Sequence, residues 1–115
     1  MGRSTPPLPL AVQRALRSLG ANIRDARKRR RLTIAVVAER ALISYVTAIK
    51  VERGDPGVSL GAVANVLFVL GLADSLGDLA AIQHDEVGQQ LASEHLPQRV
   101  RLTRVANPPP AKRGR

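Results

Sequence analysis

The side chains of this 115-residue chain that could do chemistry are hydrogen-bond donors and cations rather than nucleophiles or metal ligands. It has no cysteine, which removes disulfide and thiolate chemistry and fits a reducing compartment. His84 and His95 lie near Asp85, Glu86 and Glu94, but no i, i+4 ligand pair brings them together, so no metal site is expected. No Ser/His/Asp or Cys/His grouping and no glycine-rich phosphate loop is present; an enzyme is not expected, and no cofactor is implied. What stands out is a set of donors within residues 32–54, LTIAVVAERALISYVTAIKVERG: Thr33, Arg40, Ser44, Tyr45, Thr47, Lys50 and Arg53. A lysine donates to guanine O6 or N7, and the apolar Val46 beside it suits a thymine methyl. Hydroxyls and arginines suit phosphate oxygens.

Such groups read bases only if a helix N-terminus carries them into the major groove, so the elements around them decide the matter. Two readings compete. Ile43, Tyr45, Thr47, Ile49 and Val51 alternate with Ser44, Val46, Ala48 and Lys50, the period of a strand, and several are β-branched. Against this, Thr33 is an N-cap before Ile34, Val37, Ala38 and Ala41 at helical spacing, Ser44 is a second N-cap before Ala48, Val51 and Glu52, and Gly54 is a left-handed stop. Two N-caps and a C-cap must coincide by chance under the strand reading, so the spacing predicts two short helices joined by a tight turn. On the second helix Tyr45 and Val46 occupy the first turn and Lys50 lies one turn beyond Val46. Tyr45, Val46, Thr47 and Lys50 are the candidate base contacts; core packing remains open for Val46, and a phosphate contact for Thr47 and Lys50. Thr33, Arg40, Ser44, Arg53 and the Gly54 backbone are the candidate phosphate contacts. Ile49 has no assigned role.

Leu32, Thr33, Val37, Ala38, Ser44, Thr47, Glu52, Arg53 and Gly54 sit in the pattern of the Xre/Cro family of phage-repressor-like DNA-binding domains, which the chain resembles from about residue 19 to residue 79. The resemblance implies an all-α, five-helix lambda-repressor-like bundle. It also implies that Arg27 pairs with Glu52, tying the first helix to the recognition helix. Two positions depart from the family: Ile34 replaces a polar residue, often glutamine, that grips a phosphate, and Leu42 replaces the usual turn glycine. The second departure implies either a negative φ or some strain.

The net charge of +9 is unevenly distributed. Residues 1–53 hold 12 Lys/Arg against three acids, residues 54–98 six acids and no Lys or Arg, and residues 99–115 six Lys/Arg and no acid. A basic half containing the motif suits a phosphate backbone, and the acidic segment must face elsewhere. The Arg27–Arg31 run is readable as a nucleic-acid patch or as a helix end favoured by the macrodipole. Neither a ~20-residue apolar span nor a signal-peptide pattern is present, so a cytoplasmic, nucleoid-associated protein without membrane contact is expected.

The expected organisation is a flexible arm over residues 1–8, a helical bundle over 9–83, a C-terminal extension over 84–105 and a disordered basic tail over 106–115. A first helix starts near Pro9 with Leu16, Leu19, Ile23 and Ala26 on its apolar stripe, and Gly20 is a possible break. Ser59 caps a helix apolar on both sides, which implies a second copy of the chain, with Val66 and Val69 at the dimer interface. Leu72, Leu76, Leu79, Ala80 and Ile82 predict one more amphipathic helix. Residues 98–105, QRVRLTRV, read either as a disordered tail or as a short strand in which Val100 and Leu102 pair with the copy's strand.

The pattern as a whole predicts a homodimer that binds double-stranded DNA at a palindromic operator as a transcriptional repressor. A C-terminal strand after the bundle, with an acidic surface, further resembles small antitoxins of the HipB type, which repress their own operon and neutralise a kinase toxin of the HipA type. A non-specific RNA-binding or ribosome-associated basic protein is the alternative, although stacking aromatics are scarce. A protein-binding adaptor with a vestigial motif is a third reading, suggested by Ile34 and Ile49.

Overall fold

A computed structural model describes residues 7–95. They fall into two compact units, the first ending at Gly77 and the second beginning at Asp78. The first unit holds five helices: α1 (Leu10–Arg29), α2 (Ile34–Ala41), α3 (Tyr45–Arg53), α4 (Leu60–Val69) and α5 (Ala73–Gly77). Among the described residues there is no strand, so residues 45–51 are helical despite their alternation. Tertiary packing and the caps outweigh β propensity there.

The caps explain the starts. The hydroxyls of Thr33, Ser44 and Ser59 accept from the N–H groups of Val36, Thr47 and Ala62 at 3.1, 3.0 and 3.0 Å, each satisfying an otherwise orphaned donor of the first turn. The ends are alike as well. The N–H groups of Leu32, Ile43, Asp55 and Leu72 donate back to the carbonyls of Arg27, Ala38, Lys50 and Leu67, the wide bond of a Schellman closure. Such a closure needs one left-handed residue, and these are Arg31, Leu42, Gly54 and Gly71, with φ of 57°, 59°, 72° and 78°. Leu42 therefore takes the strained alternative, at a cost of about 1–2 kcal/mol relative to a right-handed residue.

α1 runs unbroken through Gly20. A Cβ at this position would stand 2.6 Å from the Glu52 carbonyl and 2.7 Å from the Gly54 nitrogen, so the missing side chain is what lets α1 cross the end of α3. A Cβ on Gly54 would likewise collide with the Leu16 backbone. The two glycines meet where the helices touch.

The core gathers Ile23 and Ala26 from α1, Val37 and Ala41 from α2, Val51 from α3, and Val66, Leu67 and Leu70 from α4 and its end. All are aliphatic. Val66 is 2% exposed and lies inside this core, so it is not available to a dimer interface; Val69 is half-buried and packs against the same cluster. The outward side chains of α4 are Leu60 and Phe68 instead, 69% and 75% exposed. With Asn65 its sole polar residue, α4 carries almost no polar mark to show which side faces in. Asn65 itself donates from Nδ2 to the Ala41 carbonyl at 3.2 Å, fixing α4 to the end of α2.

α5 stops at Gly77, shorter than the apolar spacing suggested, and the first unit ends there. Leu79 and Ile82, expected on the face of that helix, are exposed. In the second unit a 3-10 turn, Ile82–His84, leads into α6 (Glu86–His95). Asp85 caps α6 through the Gly88 N–H at 2.9 Å, and Gln89 donates to the Ile82 carbonyl at 2.5 Å. Val87 and Leu91, one turn apart, are both exposed. Val100 and Leu102, and with them the 98–105 strand and the 106–115 tail, lie outside the described residues.

Candidate nucleic-acid interface

The interface is built upward from one ion pair. Arg27 Nε donates to Glu52 Oε2 at 2.6 Å and Nη2 to Oε1 at 3.1 Å, a bidentate fork, while Nη1 donates to the Leu32 carbonyl at 2.9 Å. One guanidinium thus joins α1, the link into α2, and α3. Its side chain and that of Glu52 are 11% and 10% exposed. The hydrogen bond to Glu52 raises the Arg27 pKa above its ordinary value, against the opposing effect of burial, so the guanidinium stays charged.

This pair sets α3 in position. Ala48 and Val51 face inward, and Tyr45, Val46 and Lys50 are exposed on the other side, Tyr45 at 54% and Val46 at 59%. Val46 is therefore not a core residue. Ser44 does two things at once: its hydroxyl accepts from the Thr47 N–H and donates to Thr47 Oγ1 at 2.9 Å. Thr47 is half-buried, with an oxygen already engaged and its own proton free to donate.

The expected phosphate contacts divide. Thr33, Arg40, Ser44 and Arg53 are all exposed. Gly54 is not available as a donor, because its N–H is spent on the Val51 carbonyl at 3.1 Å. It closes α3 and admits α1, and holds no phosphate through that N–H.

Ile34 and Ile49, left without roles by the sequence, line one concavity together with Arg24, Arg27, Glu52 and Arg53. Both are half-buried and flank the ion pair, where apolar surface limits the water that would weaken it. A neighbouring concavity is lined by Lys28, Arg31, Thr33, Ala35 and Tyr45 at the start of α2. Lys28 belongs to the Arg27–Arg31 run already readable as a nucleic-acid patch or a favoured helix end, whereas Arg24 had no assigned role. Their four-residue spacing is the signal that sets them on one side of α1.

Among the described residues, no helix is long and apolar enough to cross a membrane, and no three His, Cys, Asp or Glu side chains gather into a metal-binding group.

A short capped helix held against a second, with its far side exposed and cationic, defines a helix-turn-helix DNA-binding domain. The chain belongs to the family described as Helix-turn-helix domain, whose profile matches residues 18–81. No curated protein and no solved structure matches it significantly.

Proposed function

We propose that this protein is a non-enzymatic, cytoplasmic transcriptional repressor of the Xre/Cro type that binds a palindromic operator as a homodimer. The observation that carries the reading is the exposed N-terminal face of α3, where Tyr45, Val46 and Lys50 stand clear of the core while Arg27 and Glu52 hold the helix from behind. Lys50 donates to guanine acceptors, Val46 meets a thymine methyl, Tyr45 and Thr47 supply hydroxyls, and Thr33, Arg40, Ser44 and Arg53 fix the register on phosphates. The outward Leu60 and Phe68 of α4 support self-association. Two recognition helices in a dimer would require half-sites about one helical turn apart, ~10 bp.

The test is selection of bound sequences from random duplex DNA at ~0.2 M salt, where non-specific phosphate binding is suppressed. Recovery of an inverted repeat is the expected result; recovery of nothing above background would move the function to RNA or protein binding.

Within that class the finer reading is an antitoxin of the HipB type, paired with a HipA-like kinase toxin. It is favoured by the second unit, whose Val87 and Leu91 are exposed on a helix flanked by Asp85, Glu86 and Glu94. An apolar stripe on an acidic helix suits a protein partner and repels DNA. A pull-down from the host that recovers no kinase counts against the antitoxin and leaves the repressor standing.

A further inference from the structure

We propose that α1 is a second DNA-binding element, a cationic rail formed by Arg17, Arg24 and Lys28 that grips the phosphodiester backbone beside the site occupied by α3. The proposal rests on the DNA-binding reading above and gives these three residues a role that the helix-turn-helix motif does not.

At about 100° per residue, spacings of seven and four place the three side chains within roughly 40° of one another around α1. All three are exposed, and among the described residues the Arg27–Glu52 pair is the only salt bridge, so their charges are uncommitted. Facing them across a furrow are Tyr45, Ile49 and Arg53, successive turns of α3. Lys28 and Tyr45 line one concavity, Arg24, Ile49 and Arg53 a second, and Arg17 and Arg53 a third. The furrow is therefore bordered by an α1 cation at each step along its length.

Two acids line it. Glu52 is neutralised by Arg27. Asp55 lines the third concavity, and its Oδ1 accepts from the Gly57 N–H at 2.7 Å. Asp25 follows Arg24 directly and so lies about 100° further round the helix.

The macrodipole explains basic residues in the last turn of a helix, here Arg27, Lys28 and Arg29. It does not explain Arg17 and Arg24, which lie one to three turns earlier. At ~1.5 Å per residue the rail is about 16 Å long. Each strand of a duplex carries one phosphate per ~3.4 Å of axis, so the rail spans several phosphates while the start of α3 occupies the groove.

The experiment is the salt dependence of binding to two duplexes, one selected and one random, for the full-length chain and for Arg17→Gln/Arg24→Gln/Lys28→Gln. Each phosphate contact contributes about 0.9 to the slope of log K against log salt. The triple variant is expected to flatten the slope by about 2.7 on both duplexes, with base preference unchanged and native helix content by circular dichroism. If it does not fold, the three single variants serve, each expected to remove about 0.9. A wild-type slope in a folded variant overturns the rail and leaves the α3 reading intact. Loss confined to an RNA hairpin, with duplex binding unaltered, overturns it in favour of RNA. Absence of duplex binding by the unaltered chain defeats the α3 reading first, and the rail with it.

Discussion

Glu52 accepts two hydrogen bonds from Arg27, whose third nitrogen is held by the Leu32 carbonyl, so every nitrogen of the guanidinium is engaged. Glu52→Gln keeps the size of the side chain and removes its charge. The uncompensated Arg27 is expected to cost about 3 kcal/mol, seen as a lower midpoint in thermal unfolding. On the outer face of α3 the effects belong to binding. Lys50→Ala is expected to lose ~1–3 kcal/mol on the selected operator and to change base preference, whereas Arg53→Ala weakens all duplexes alike and flattens the salt slope by about one unit. Equal losses for both variants on random DNA would remove Lys50 from the base readers. At this scale the sequence showed which side chains lie on the recognition helix, because caps and spacing are local. It did not show what Ile34 and Ile49 do, since their surroundings are set by the α1 crossing, which no local pattern encodes. Gly54 misled for the opposite reason: its local role as a helix stop consumes the N–H that would have met a phosphate.

The helices meet through glycine. Alanine is favoured over glycine inside a helix by roughly 0.5–1 kcal/mol, so propensity alone makes Gly20→Ala stabilising. The Cβ would stand 2.6 Å from the backbone oxygen of Glu52, which cannot yield as a side-chain tip can, so the net effect is expected to be a loss of stability and a lower urea midpoint. Leu42→Gly should act in the reverse sense. Leu42 is 88% exposed at φ 59°, so glycine removes backbone strain and almost no buried surface, with an expected gain of up to about 1 kcal/mol. A fall in stability would mean that Leu42 packs on something the isolated chain does not show. The starts of α1 to α4 were legible from Pro9, Thr33, Ser44 and Ser59, and the end of α3 from Gly54. The inward face of α4 was not, because a helix of leucine, valine and alanine on all sides has no polar side to orient it. Nor was the early end of α5, whose apolar spacing continues past Gly77 although the helix does not.

Across the whole chain the charge separation stands out, with basic residues over 1–53 and none over 54–98. Sedimentation of the full chain is expected to give twice the 12.3 kDa of one copy, and Phe68→Glu, which charges an outward position of α4, is expected to return it to a single copy without unfolding it. A single copy for the unaltered chain would remove the dimer and leave one half-site as the recognition unit. The near absence of aromatic residues has another consequence. There is no tryptophan, and Tyr45 is the only tyrosine, 54% exposed on the first turn of α3 beside Lys28 and Arg31. The ultraviolet emission of the protein therefore originates at one point on the surface proposed to meet DNA. Unlabelled protein is its own optical reporter: quenching on titration with duplex reads the environment of that one ring, with no tryptophan and no second tyrosine to subtract.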